Sequence, residues 1–274
     1  MGRLPLASGD AQRRYFRRNI LVHTHIEKSA GSSLVGAFAE LFGVGQVYDL
    51  RLHGAARLRD LPGEEKARIR VLSGHFSYRS MDSLFARQKL YIATVREPFE
   101  RLLSHYRFVM GSPGHGAYPA TLDKMPTQVV AGLLAADHPV ITNAMSRALG
   151  IVTPEVMAAH LEKNYVIVAP CERVDELIAA LYRIFGRPDA PTLRYNVGSG
   201  EGVSIDREVR RLFLARNQID GALYDHVRRR FDTWLDHLEE RLCRVTPAST
   251  IRHANNRLGH RWNCFIKRAV HSSR

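Results

Sequence analysis

The chain is poor in cysteine. Its three cysteines, Cys171, Cys243 and Cys264, lie far apart and form no CxxC pair. That spacing excludes a disulfide framework and a cysteine-built zinc site of recognisable pattern. Long apolar runs are missing as well: none approaches the ~20 residues of a membrane-spanning helix. Residues 1–18 carry arginines without the apolar core of an export leader. Sparse thiols and no leader set the expectation of a cytoplasmic enzyme. The GxxxxGK[ST] signature of P-loop NTPases is also lacking, and no internal repeat is found.

Acid is scarce at the two ends. The formal net charge is +13, and residues 1–20 hold five arginines against one aspartate. Residues 241–274 hold seven arginines and one lysine with no acid. The body between them is close to neutral. A nucleic-acid-binding domain places its basic charge on the folded face, so no specific nucleic-acid partner is expected. The ends could touch an anionic membrane surface as an accessory role. The chain divides on this basis into a basic N-terminal arm at 1–18, a domain at 19–240 and a basic C-terminal tail at 241–274. Its composition, 45% hydrophobic and 24% charged, is that of a globular protein.

Within the domain, strand and helix patterns alternate. NILVHTH at 19–25, IRVLS at 69–73, KLYIATV at 89–95 and YVIVAP at 165–170 read as short buried strands. Helical spacing is found at 33–42, 98–110, 126–135, 139–149, 154–163, 172–186, 205–216 and 219–240. Gly- and Pro-rich loops separate them at 111–119 and 187–204. Such alternation predicts a three-layer α/β fold: a central, mostly parallel sheet with helices on both faces.

Chemistry concentrates after the first strand. IEKSAGSS leads from that strand into a helix, whose N-terminal N–H groups and dipole make an anion site. Lys28 adds a charge, Gly31 allows close backbone approach, and Ser29, Ser32 and Ser33 add hydroxyls around Ala30. A plain strand-to-helix turn with a serine cap gives the same pattern. In VREPFERLLSHYRF, Arg96 ends a strand where an open α/β sheet binds ligands, and Arg grips phosphate in two places at once. Arg96 could equally pair with Glu97 or Glu100. Ser104 follows two helical turns later.

HTHIEKSAGSSL at 23–34 resembles the 5′-phosphosulfate loop of the PAPS (3′-phosphoadenosine-5′-phosphosulfate) dependent sulfotransferases. VREPFERLLSHYRF at 95–108 resembles their 3′-phosphate motif. SGHFSY at 73–78 is similar to the histidine-bearing strand end of the glycan O-sulfotransferase branch, which includes the heparan sulfate 2-O-sulfotransferases. NAMSRALG, VAPCERVDELIAAL and ALYDHVRRRF look like later blocks of that branch. The likeness spans roughly 19–237, with the P-loop-like fold of that family. This sequence departs from the pattern at Glu27, where proline is usual, at Glu97, where aspartate is usual, and in two serines that replace threonines.

The resemblance implies a sulfuryl transfer from PAPS to a hydroxyl, on a carbohydrate or glycolipid, with no metal. It implies that Lys28, Ser29, Ala30, Gly31, Ser32 and Ser33 hold the 5′-phosphosulfate, and that Arg96 and Ser104 hold the 3′-phosphate. Lys28 would also meet the charge on the leaving oxygen, and His75 would be the general base. His23 and His25 alternate along a strand with no third metal ligand at recognisable spacing, and His25 is expected to line the donor loop. Asn143 and Arg147 stand four residues apart on an expected helix face, open to acceptor, donor or solvent. Arg51 and His53 are further acceptor candidates. The loop 194–202 could close over the nucleotide or simply connect. Two rivals remain: a kinase or NTPase, separable by magnesium-dependent ATP turnover, and a nonenzymatic anion binder using the basic ends.

Overall fold

The structure, a computed structural model, describes residues 6–112, 114, 124–187 and 203–243. In chain order the described helices are α1 (Gly9–Arg18), α2 (Gly31–Phe42), α3 (Leu50–His53), α4 (Ala55–Asp60), α5 (Gly63–Arg68), α6 (Pro98–Met110), α7 (Pro126–Ala135), α8 (Ala144–Leu149), α9 (Pro154–Asn164), α10 (Val174–Ile184), α11 (Arg207–Arg216), α12 (Gln218–Asp236) and α13 (Leu238–Cys243). The strands are β1 (Asn19–Thr24), β2 (Val47–Asp49), β3 (Val71–Gly74), β4 (Gln88–Val95) and β5 (Tyr165–Pro170).

All five strands run parallel in one sheet of order β2-β3-β1-β4-β5. Parallel strands covered on both faces read as unbroken apolar runs, and β1 and β5 are buried nearly end to end. The chain leaves β1 toward β3 and β2, then crosses β1 to form β4. The crevice outside the carboxyl ends of β1 and β4 is therefore the switch point where open α/β sheets bind ligands.

Side chains alternate between sheet faces. His23 is level with Ser73 on β3, and Ser73 with Asp49 on β2. This row faces α2, whose Phe38 ring stands 6.1 Å from His23. Helix α10 packs on the same side, and the Tyr182 hydroxyl donates to Glu40 of α2 at 3.1 Å. Val22, Tyr91 on β4 and Tyr165 on β5 line up on the opposite face, where the Tyr78 and His160 rings join the two tyrosines.

The sequence patterns locate β1, β3, β4 and β5 and most of the helices. Strand β2 was not expected; it has three residues, too few for a readable alternation. Helix α8 is shorter than its pattern because Asn143, at φ 44°, takes the left-handed conformation just before it. Residues 9–18, assigned to the basic arm, form α1, whose Phe16 is buried against Phe42 and Phe185. Arg241, assigned to the basic tail, is buried in α13 and donates to the Tyr165 and Val166 carbonyls at 2.9 and 2.6 Å. The rest of that tail, 244–274, and the loop 194–202 lie outside the described residues.

The expectation of a cytoplasmic enzyme is corrected. Among the described residues no helix is long and apolar enough to cross a membrane. Neither this nor the scarcity of cysteine assigns the chain to a compartment.

Candidate functional site

The turn from β1 to α2 has the shape of an anion cradle. Lys28 (φ 65°) and Ala30 (φ 62°) both adopt the left-handed conformation on either side of Ser29. Such backbone is uncommon in residues with a side chain and gathers at functional sites. No side chain caps α2. Its first intrahelical bonds are donated by Ser33 and Leu34 to the Ala30 carbonyl at 3.1 and 3.4 Å, so the Gly31 and Ser32 N–H groups precede that ladder at the end of a helix that suits an anion.

Gly31 is required by its neighbour. A Cβ there would lie 2.3 Å from Cδ2 of His25. The His25 ring fills the space under the turn and stacks 5.2 Å from His23. Burial holds both histidines neutral: His23 is pushed down to about 3, and His25 is pushed down too, chiefly by burial, with its neighbours His23, Arg51, His75 and Lys28 acting in the same direction. The pair is therefore uncharged packing beneath the cradle. His23 Nδ1 and the Ser73 hydroxyl are 2.9 Å apart.

Three cations converge on the cradle. Burial lowers the Lys28 ammonium below the usual lysine range, Glu27 opposes the shift, and Arg96 adds to it. The Lys28 Nζ sits 4.2 Å from the centre of the Phe108 ring on α6. Arg96 donates from its guanidinium to the Lys28 carbonyl at 3.4 Å. Arg96 thus turns to the cradle, and Glu97 instead caps α6 by accepting from the Glu100 N–H at 2.6 Å. The glutamate at that position keeps a capping role. Arg51, the third cation, reaches the Ser32 hydroxyl at 3.4 Å. It is held by Asp49, whose Oδ2 accepts from NH2 at 2.5 Å and from Nε at 3.1 Å. Burial works to raise the Asp49 carboxyl, but the bonds from the Arg51 side chain and backbone win and lower it.

His75 follows β3 at the same end of the sheet. Its Nδ1 lies 2.6 Å from the His25 carbonyl oxygen. A carbonyl only accepts, so Nδ1 carries the hydrogen, and the neutral ring keeps its lone pair on Nε2. That nitrogen is the one left to take a proton. The loop bearing it is pinned by the Tyr78 N–H, which donates to the Ala148 carbonyl at 2.8 Å.

Glu27, which the sequence marks as a departure from the loop pattern, and His105, which it does not single out, meet at this site. The Glu27 carboxylate stands 3.9 Å from His75 Nε2 and 3.4 Å from His105 Nδ1. His105 and Phe108 of α6 meet Glu27 and Lys28 of the cradle, so Ser104, beside His105 and one turn before Phe108, is on the same side of the helix. Phe99, Leu102 and Leu103 turn away into a separate apolar cluster with Val130, Leu134, Ile141 and Phe213.

Three acceptor candidates are not brought to the cradle. Asn143 uses its side chain elsewhere: Nδ2 donates to the Arg216 carbonyl at 3.0 Å, and Oδ1 accepts from the Asp220 N–H at 3.2 Å. Asp220 in turn accepts from the Met145 and Ser146 N–H groups and the Ser146 hydroxyl at 3.1, 2.7 and 2.6 Å. NAMSR is thus an anchoring segment tied to α12. Asn143 precedes α8 and shares no helical face with Arg147, which is exposed. His53 packs its ring 5.2 Å from Tyr48, beside the edge strand β2.

Residues 13–126 match the family model described as the sulfotransferase family. The matched segment includes the cradle, His75, Arg96 and Ser104 and ends short of half the chain. It supports a sulfotransferase family and, in general terms, sulfuryl transfer to a hydroxyl. No curated protein matches the chain.

Proposed function

We propose that the chain transfers the sulfuryl group of PAPS to a hydroxyl of a carbohydrate or glycolipid, as the glycan O-sulfotransferases do, by in-line displacement with His75 as base. The observation that carries this reading is the bond from Arg96 to the Lys28 carbonyl. It puts the two motifs of the resemblance in one crevice. A strained, uncapped helix N-terminus ringed by Lys28, Arg51 and Arg96 suits a ligand with several separated anionic groups.

PAPS brings an activated sulfuryl group on a phosphate leaving group. The chain supplies the rest. Backbone N–H groups of 29–33, with Ser32 and Ser33, hold the 5′ end, and Arg96 and Ser104 hold the 3′-phosphate. His75 Nε2 takes the proton of the acceptor hydroxyl as its oxygen bonds to sulfur. The bond from sulfur to the phosphate oxygen breaks, and Lys28 meets the charge left on that oxygen. His75 keeps its orientation through the His25 carbonyl.

The test is incubation of the full chain with sulfur-labelled PAPS and a panel of glycans, glycolipids and simple hydroxyl compounds, read by mass spectrometry. Sulfate on an acceptor, unaffected by EDTA, is the expected result. Magnesium-dependent ATP turnover with no sulfate transfer overturns the reading.

A further inference from the structure

Glu27 occupies the position where the resembled pattern has proline, and its surroundings give it a task. Its carboxylate lies between two imidazoles, with Oε1 3.9 Å from His75 Nε2 and Oε2 3.4 Å from His105 Nδ1. Glu27 is 44% exposed and His75 38%, so both border the open crevice, while His105 is 13% exposed. His75 also faces the buried ring of His25, which follows β1, and the cations Lys28, Arg51 and Arg96 stand about the same cradle. Glu27 is the carboxylate that stands beside the nitrogen that takes the proton.

We propose that Glu27 is the positioning residue of this site: its carboxylate, between His75 and His105, stabilises the imidazolium formed when Nε2 accepts the acceptor's proton. This rests on the sulfuryl-transfer reading for its catalytic consequence but not for the coupling itself. A proline here would fix the backbone and remove the carboxylate. At 3.9 Å the contact is too long for a direct hydrogen bond, so the action is through charge.

The experiment uses the full chain labelled with 15N-histidine, as wild type, Glu27→Gln and Glu27→Asp, with His75→Gln and His105→Gln to assign the ring signals. Imidazole NMR follows each ring against pH. In Glu27→Gln the titration midpoints of His75 and His105 should both move to lower pH by about half to one unit, as loss of a half-exposed neighbouring charge implies. Glu27→Asp should restore most of the shift. With PAPS and an acceptor, turnover of Glu27→Gln should fall roughly 3–10-fold near neutral pH. The acid limb of its rate profile should move down with the His75 midpoint, while affinity for PAP (the desulfated donor) stays within about twofold. Midpoints unmoved in Glu27→Gln overturn the proposal, as does a loss confined to PAP affinity, which would assign Glu27 to Lys28 instead. Shifted midpoints in a chain that sulfates nothing leave the Glu27 coupling standing and overturn sulfuryl transfer. Turnover with unmoved midpoints does the reverse.

Discussion

His75 donates its Nδ1 hydrogen to the carbonyl oxygen of His25 across 2.6 Å, and the two rings stand 4.8 Å apart at 59°. His75 is thereby tied to the segment that leads from β1 into the cradle. His75→Ala should leave PAP affinity nearly intact and reduce turnover by about 10²–10⁴-fold, the usual yield of general base catalysis. The rising limb of the wild-type rate with pH should vanish in the variant. Near-normal turnover of His75→Ala on its acceptor would place the base elsewhere.

Lys28→Ala and Arg96→Ala should each weaken PAP binding by about 2–5 kcal/mol, the typical result of truncating a buried charged contact. Arg51→Ala should weaken it less, because Arg51 reaches the cradle only through Ser32. Titration calorimetry of the three variants measures the order. Unchanged affinity in both Lys28→Ala and Arg96→Ala would remove the cradle from donor binding.

Gly31→Ala forces a methyl to within 2.3 Å of the His25 ring. The ring is buried under the turn and has little room to retreat. Thermal unfolding should show a loss of about 1–3 kcal/mol, the range for overpacking a filled interior, together with a weaker cradle. A variant as stable as wild type with full PAP affinity would mean that His25 moves freely.

Acid should destabilise the fold through the histidines beneath the cradle. His23 has an ordinary value of 6.5 and is lowered in the fold to about 3, and His25 is lowered as well. A lowered folded value means that the unfolded chain binds the extra proton first. The stabilisation is complete above about pH 6.5 and is lost as pH falls toward 3. For His23 the loss amounts to about 2–3 kcal/mol by about pH 4.5. Urea unfolding midpoints across this range should fall steeply in wild type and more gently in His23→Gln, which keeps a polar partner for Ser73. Equal slopes in the two would show that His23 titrates without affecting stability.

Much of this was legible in the sequence because it is local. Buried parallel strands write themselves as apolar runs, Pro98 and Glu97 announce the start of α6, and Lys28 and Arg96 stand at strand ends where chemistry gathers. Contacts between distant segments were not legible. Glu27 and His105 belong to different elements, and no spacing rule relates them. Gly31 suggests room for a ligand, yet the atom that needs the room is on His25. Asn143 and Arg147 fit a helical face until Asn143 leaves the helix, a choice set by Asn217, just before α12, and Asp220 on it. Arg51 was a weak candidate until Asp49, on a strand too short to see, fixed its guanidinium.

The strand order has a consequence for how the protein comes to possess a site at all. Lys28 follows β1, Arg51 follows β2, His75 follows β3 and Arg96 follows β4, so the crevice is a junction of four strand ends. No hairpin or single helix contains a weaker copy of it. Closing those distant pairings is slow relative to local structure, and the site is completed only as the sheet is. A molecule that binds there recognises the native state alone and holds it by mass action, by about 2.7 kcal/mol at a hundred times its dissociation constant. In the cell, the donor's abundance would then help set how much of this chain survives folded.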